Sequence, residues 1–199
     1  MKRPEPVQVV KERRDAALSA LVEQVPYIGF LGIHFDRRGN ELTAVLPYTE
    51  TLIGNPALPA IHGGVTASFL EVTSIIELGW ALMWEEIESG ERTIEDLTPS
   101  SMPRLPKTID FTVDYLRSGL PRDAYARARI NRSGRRYASV HVEAWQDNCS
   151  RLFAQATGIK GVSMIAGNDV NTTSNVQMNG CPPEGVDHLL TERVLRMAE

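Results

Sequence analysis

The sequence predicts an α+β fold, an antiparallel sheet wrapped around one long central helix. Three observations carry that expectation. The run VTASFLEVTSIIELGWALMWEEI after Gly64 is apolar on nearly all sides until its acidic end, as expected of a helix enclosed by other structure rather than lying on a surface. A pair of short alternating segments precedes it, and four strand-like segments follow it. That order fits one helix layered against one curled sheet.

Taken from the start, residues 8–25 place Val10, Ala17, Leu18, Leu21, Val22 and Val25 near helical spacing, with Lys11 to Asp15 between them and Pro26 after them. This predicts an amphipathic leading helix within a 1–27 extension. Gly32 to Asp36 and Glu41 to Leu46 each alternate apolar and polar side chains around Arg38-Gly39-Asn40, which predicts a hairpin. In TLIGNPALPAI, residues 51–61, Gly54, Pro56 and Pro59 exclude regular structure and predict a shaped loop. The long helix then begins at Gly63 or Gly64.

Residues 89–107 are rich in Ser, Pro and charge and read as an insertion or lid. Strands are predicted over Lys107–Arg117, Ala124–Ser133, Arg136–Gln146 and Leu152–Val162, with hairpin-length links that make the sheet antiparallel. The main domain is therefore placed at 28–163. Residues 164–199 read as a polar, Asn-rich linker and a short terminal helix.

Composition removes several function classes. With 21 Lys+Arg against 25 Asp+Glu the formal charge is -4, so no overall field favours a nucleic-acid backbone. The two cysteines, Cys149 and Cys181, form neither a C-x-x-C pair nor a four-ligand set, so no disulfide framework or zinc site is expected and a cytoplasmic location fits. No signal-peptide core or membrane span is read, and no membrane partner is expected. His34, His141 and His188 lack metal-ligand spacing and there is no Gly-x-Ser-x-Gly elbow, which disfavours metal and serine-triad hydrolases.

The segment His62-Gly63-Gly64 to Glu71 carries the chemistry. Burying a carboxylate is costly, so Glu71 inside an apolar helix must be paired, hydrogen-bonded, protonated or open to a cavity. A carboxylate in a pocket is a candidate base or nucleophile; a surface-facing Glu satisfied by a partner is the plainer alternative. The two glycines stand where the chain enters the helix, so unpaired amides and the positive dipole end can face a ligand oxygen. For a thioester, those amides would stabilise the oxyanion; tight packing is the alternative reason for a glycine pair. Glu71 lies about 10 Å along the helix from Gly64. That is long for one carbonyl to bridge, and it suggests a site built from Gly63 or Gly64 of one subunit and Glu71 of another. Glu77, roughly 240° further around, should face elsewhere.

The pattern Asn55, His62-Gly63-Gly64, Glu71, followed by the strand Thr108-Ile109-Asp110, resembles the PaaI-like branch of the 4-hydroxybenzoyl-CoA thioesterase superfamily, hotdog-fold acyl-CoA thioesterases. The resemblance covers roughly residues 28–163. It implies that Glu71, nine positions after the histidine, is nucleophile or general base, although the branch usually has Asp there. It also implies that the Gly63 amide polarises the thioester carbonyl and that His62 and Asn55 position the thioester or a water. Thr108 would order the attacking water, and Arg117, Arg135 and Arg136 would meet the nucleotide of coenzyme A. An Asn before Pro56 is also a turn former, His62 can simply anchor the helix start, and Thr108 is a good strand residue.

The resemblance further implies an acyl-CoA substrate with no separate cofactor (coenzyme A being part of the substrate), no metal, and a homodimer or dimer of dimers. Two other functions remain. One is a hotdog dehydratase or hydratase, since Gly54-Asn55-Pro56 and Pro59 resemble the dehydratase loop, but Thr51-Leu52-Ile53 stands where those enzymes carry a catalytic His. The other is a non-catalytic acyl-CoA sensor, for which the roughly thirty residues before the domain are too few for a DNA-binding module.

Overall fold

A computed structural model describes residues 6–89 and 104–162. Its elements, in chain order, are α1 (Val7–Glu23), α2 (Pro26–Leu31), β1 (His34–Arg38), β2 (Glu41–Leu46), a 3-10 turn (Glu50–Leu52), α3 (Gly63–Ser89), β3 (Lys107–Tyr115), β4 (Ala124–Ser133), β5 (Tyr137–Trp145) and β6 (Ala154–Gly161). The six strands form one antiparallel sheet in the order β1-β2-β4-β5-β6-β3. This is the hotdog arrangement, with the sheet folded over α3. The predicted linker and terminal helix at 164–199, and most of the 89–107 insertion, lie outside the described residues.

The leading helix ends before Pro26, and a short helix that hydropathy did not mark follows. Pro26 starts α2 at a position where its missing N–H costs nothing, and Gly32, with φ 70, closes it. The hairpin β1–β2 turns at Gly39, whose φ of 62 supplies the positive backbone angle such a tight turn needs.

One link departs from expectation. The Ser118-Gly119-Leu120-Pro121 segment has hairpin-link length, yet β3 pairs with β6 and β4 with β2 and β5. The segment instead crosses the end of the sheet, because its polar groups are taken locally. Gln146 Oε1 accepts from Leu120 N–H (2.8 Å), while Gln146 Nε2 donates to the carbonyls of Leu120 (2.8 Å) and Arg122 (3.1 Å). A buried amide thereby does what a neighbouring strand would have done.

The core lies between α3 and the inner sheet face. Phe69, Leu70, Ile76 and Met83 of α3 are fully buried against a floor of small residues that includes Ala44, Ala126, Ala144 and Ala156. By length and composition Gly63–Met83 would pass for a membrane span, which the sequence reading did not register; here it is largely buried inside the fold. On its other side α1 closes the core with Ala17, Leu18 and Leu21. Gly79 admits Leu21, since a Cβ there would sit 3.3 Å from Leu21 Cδ1. Cys149, for which no pairing was expected, is disulfide-bonded.

β3 is a sheet edge, and a bulge lies within it. Thr108 opposes Lys160 and Asp110 opposes Ile159, so Ile109 is an extra residue. The bulge puts Thr108, Phe111, Val113 and Tyr115 on the inner face together. Gly158 opposes Phe111, and a Cβ at Gly158 would lie 2.5 Å from Phe111 Cδ2 and 3.0 Å from the Asp110 carbonyl oxygen. Gly158→Ala is therefore expected to destabilise the protein by about 1–3 kcal/mol through overpacking, seen as a lower urea midpoint at unchanged slope; an unshifted midpoint would mean that the ring moves aside freely.

Candidate active site

The start of α3 is fixed from three sides. Ile61 N–H donates to the Gly119 carbonyl (2.8 Å), His62 N–H to the Leu52 carbonyl (2.8 Å), and Thr66 N–H to the His62 carbonyl (3.0 Å). Gly64 N–H donates to His62 Nδ1 at 2.9 Å, so an imidazole accepting there carries its ring proton on Nε2. The two glycines thus divide. Gly64's amide is occupied, and a Cβ on Gly64 would press to 3.0 Å from His62 Nδ1. Among the described residues Gly63 N–H has no acceptor, which makes it the amide at the positive end of the helix that is open to a ligand oxygen.

Tyr115, to which the sequence reading gave no role, donates from its hydroxyl to the Gly63 carbonyl (2.8 Å). It ties the end of β3 to the helix start. Gly54 makes the site possible in another way, because a Cβ there would lie 2.8 Å from His62 Cδ2 and 3.0 Å from His62 Cα.

Two helical turns on, Glu71 meets β3. Thr108 Oγ1 donates to Glu71 Oε1 at 2.6 Å, and Lys160 Nζ donates to Thr108 Oγ1 at 2.7 Å. Glu71 is half-buried and Thr108 exposed, whereas Lys160 is fully buried. The ammonium also lies 4.5 Å from the centre of the Phe111 ring. Burial lowers the Lys160 pKa to about 8, with the Glu71 charge opposing the shift. Sequence reading missed Lys160, although a lone lysine between Ile159 and Gly161 in an apolar strand was a legible flag.

Other expected residues are placed differently. Asn55 Oδ1 accepts from Ala57 N–H (3.0 Å), the turn-forming arrangement, at the tip of a loop closed by Gly54 N–H on the Ala60 carbonyl (3.1 Å). Arg117, Arg135 and Arg136 do not form one patch in a single chain. Arg117 follows β3 at the Tyr115 end, its N–H on the Phe153 carbonyl (3.0 Å). Arg135 and Arg136 precede β5 at the other end, where Tyr137 opposes Gly161 and Gly161 opposes Lys107. Antiparallel pairing separates what sequence proximity to strand ends had grouped.

Glu77 does face elsewhere. Its carboxyl is pushed up to about 8 by burial, with Arg127 opposing and Glu41 assisting, so it is protonated at neutral pH and packs as a largely uncharged group. Among the described residues no three His, Cys, Asp or Glu side chains converge to hold a metal.

The hotdog sheet thus carries a half-buried carboxylate on its enclosed helix and an open amide at that helix's start. Known proteins share this architecture. Residues 58–152 match the family model for the thioesterase superfamily. The medium/long-chain acyl-CoA thioesterase YigI of Escherichia coli strain K12 is 30% identical over 123 residues, 61% of this chain and 76% of that one. A crystal structure of a Chromobacterium violaceum protein is 30% identical, with a TM-score of 0.52 over 79% of this chain and 98% of its own. The E. coli PaaI protein of the phenylacetic acid degradation operon shares the fold at 15% identity, with a TM-score of 0.58 over 78% of this chain and 96% of its own. The chain belongs to the thioesterase superfamily and is a thioester hydrolase.

Since a Cβ at residue 54 would collide with the backbone of His62 as well as its ring, Gly54→Ala is expected to shift the helix start. It should lower kcat/KM for thioester hydrolysis by about tenfold or more, as misplacement of a positioning group does. Steady-state thiol release checks this, and an unchanged kcat/KM would remove the loop from the site.

Proposed function

We propose that this chain hydrolyses acyl-CoA thioesters at a site shared by two copies, with Glu71 of one and the Gly63 amide of the other. The observation that carries the reading is the Glu71 carboxylate, held at Oε1 by Thr108 (2.6 Å) beside a sheet edge with no second strand partner among the described residues. Gly63 and Glu71 are eight residues apart on one helix, about 12 Å along its axis, too far to act on one carbonyl group.

The edge strand supports the shared site. Ile109 is 56% exposed and Tyr115 55% exposed on β3, and a long uncovered edge invites pairing. If β3 pairs antiparallel with β3 of a second copy around a two-fold axis, the Tyr115–Gly63 end of one chain meets the Thr108–Glu71 end of the other. The same operation brings Arg117 of one copy toward Arg135 and Arg136 of the other, a basic rim suited to the phosphates of coenzyme A. A homodimer is the minimal assembly, and a dimer of dimers keeps the same site.

In this reaction Gly63 N–H donates to the developing oxyanion, and His62, with its proton on Nε2, lies beside it to orient the thioester or a water. Glu71 Oε2 removes a proton from the attacking water and returns it to the departing CoA thiolate, or attacks directly to form a mixed anhydride that water then opens. Thr108 acts through Glu71, and its remaining lone pair can receive a water. Asn55 and Gly64 shape the loop and the helix start. The acyl group proposed is medium to long chain, the class named for YigI.

Thiol release from a chain-length panel of acyl-CoAs tests the reading. Glu71→Gln is expected to lose about 10²–10⁴-fold in kcat/KM; equal rates in a folded variant would overturn the assignment. Complementation tests the sharing. Gly63→Pro removes the amide proton at a helix position that tolerates proline, and refolding it with Glu71→Gln should restore about a quarter of wild-type activity, since half the dimers are mixed and each has one intact site. No recovery would place both groups in one chain.

A further inference from the structure

We propose that Lys160 is a positioning residue for Glu71. By donating to Thr108 Oγ1 it obliges the single hydroxyl proton to point at Glu71 Oε1, which leaves Oε2 as the carboxylate oxygen that faces the substrate. This rests on the reading of Glu71 as the reacting carboxylate.

The geometry fixes the direction of the chain. An ammonium can only donate, and a threonine hydroxyl has one proton. With Lys160 Nζ at 2.7 Å from Thr108 Oγ1 and Glu71 Oε1 at 2.6 Å from it, the hydroxyl must accept from the lysine and donate to the glutamate. A neutral amine has a lone pair and lifts that obligation. The hydroxyl can then turn back toward Nζ, and Glu71 loses its donor.

The surroundings of Lys160 make it a two-state element. Among the described residues, α3 turns one charged group toward it, Glu71. β3 presents the Thr108 hydroxyl and the Phe111 ring, with Lys107 and Asp110 flanking Thr108 along the strand. β5 presents Ala138 directly opposite, and Tyr137 and Ser139 are its neighbours. Burial among these groups lowers the lysine pKa to about 8. It is therefore charged below that pH and loses its proton as pH rises through it, so the orientation of Glu71 is held at neutral pH and released in mild alkali.

The experiment is the pH dependence of kcat/KM, which reports groups of the free enzyme, for wild type, Lys160→Met, Thr108→Val and Thr108→Ser. Wild type and Thr108→Ser are expected to fall about tenfold through a limb centred near pH 8. Lys160→Met and Thr108→Val should be about 10- to 100-fold slower at pH 7 with that limb gone, and the double variant no slower than either single one. A wild-type profile flat from pH 7 to 9, a limb that survives in Lys160→Met, or additive losses would overturn the proposal and leave the thioesterase reading intact. ¹⁵N detection of the Lys160 amine decides the matter without activity and without a lysine variant. Its midpoint should fall in Glu71→Gln, because the glutamate charge that raises it is removed, and an unmoved midpoint would overturn the coupling. Failure of wild type to hydrolyse any acyl-CoA would instead defeat the proposed function, while the amine titration would still decide whether Lys160 is coupled to Glu71.

Discussion

Everything in this fold depends on enclosing α3. A helix apolar around most of its circumference is stable in water only when covered on nearly every side, and one sheet can do that only by curling. The inner face permits the close approach because so many of its positions are alanine, among them Ala124, Ala138 and Ala154. α1 seals the remaining side through Leu21 over Gly79. Once α3 is fixed in this way, its first amide and a carboxylate two turns later are fixed too. Loop and edge residues then need only complete two local arrangements, one at each end of β3.

These arrangements contrast in electrostatics. At the helix start the polar groups are backbone amides and carbonyls with the His62 and Tyr115 rings bonded to them, and the backbone groups act as fixed dipoles. At the far end there is a formal charge pair, Lys160 and Glu71, separated by one hydroxyl. A buried ammonium without a counter-charge would be strongly unfavourable. Glu71 thus reduces the cost of Lys160 as much as Lys160 orients Glu71, and neither is understood from its own neighbours in sequence.

Much of the architecture was legible because it is written in period and punctuation. The helix start at Gly63, the strand Ala124–Ser133 and the turn at Gly39 follow from local signals. Strand pairing did not follow, since Ser118-Gly119-Leu120-Pro121 resembles a hairpin link until Gln146, far along the chain, takes up the polar groups around Leu120. At the site, Glu71 and the glycine pair stood out as violations of local pattern. The occupation of Gly64 by His62 Nδ1, the reach of Tyr115 to Gly63 and the opposition of Lys160 to Thr108 depend on register and rotamer, which composition does not encode. Arg117 and Arg135 looked alike in sequence because both flank strands; only the antiparallel order assigns them to opposite ends.

The bulge at Ile109 has a consequence for folding fidelity. In an unbulged β3, held in its register with Phe111 opposite Gly158, the residue facing Lys160 would be Ile109 and Thr108 would point outward. An isoleucine offers a buried ammonium no acceptor, so that slipped pairing would strand a charge in the interior. The lysine therefore acts as a register pin that penalises the regular ladder and selects the irregular one. In this sense the least regular point of the sheet is the one most strictly specified.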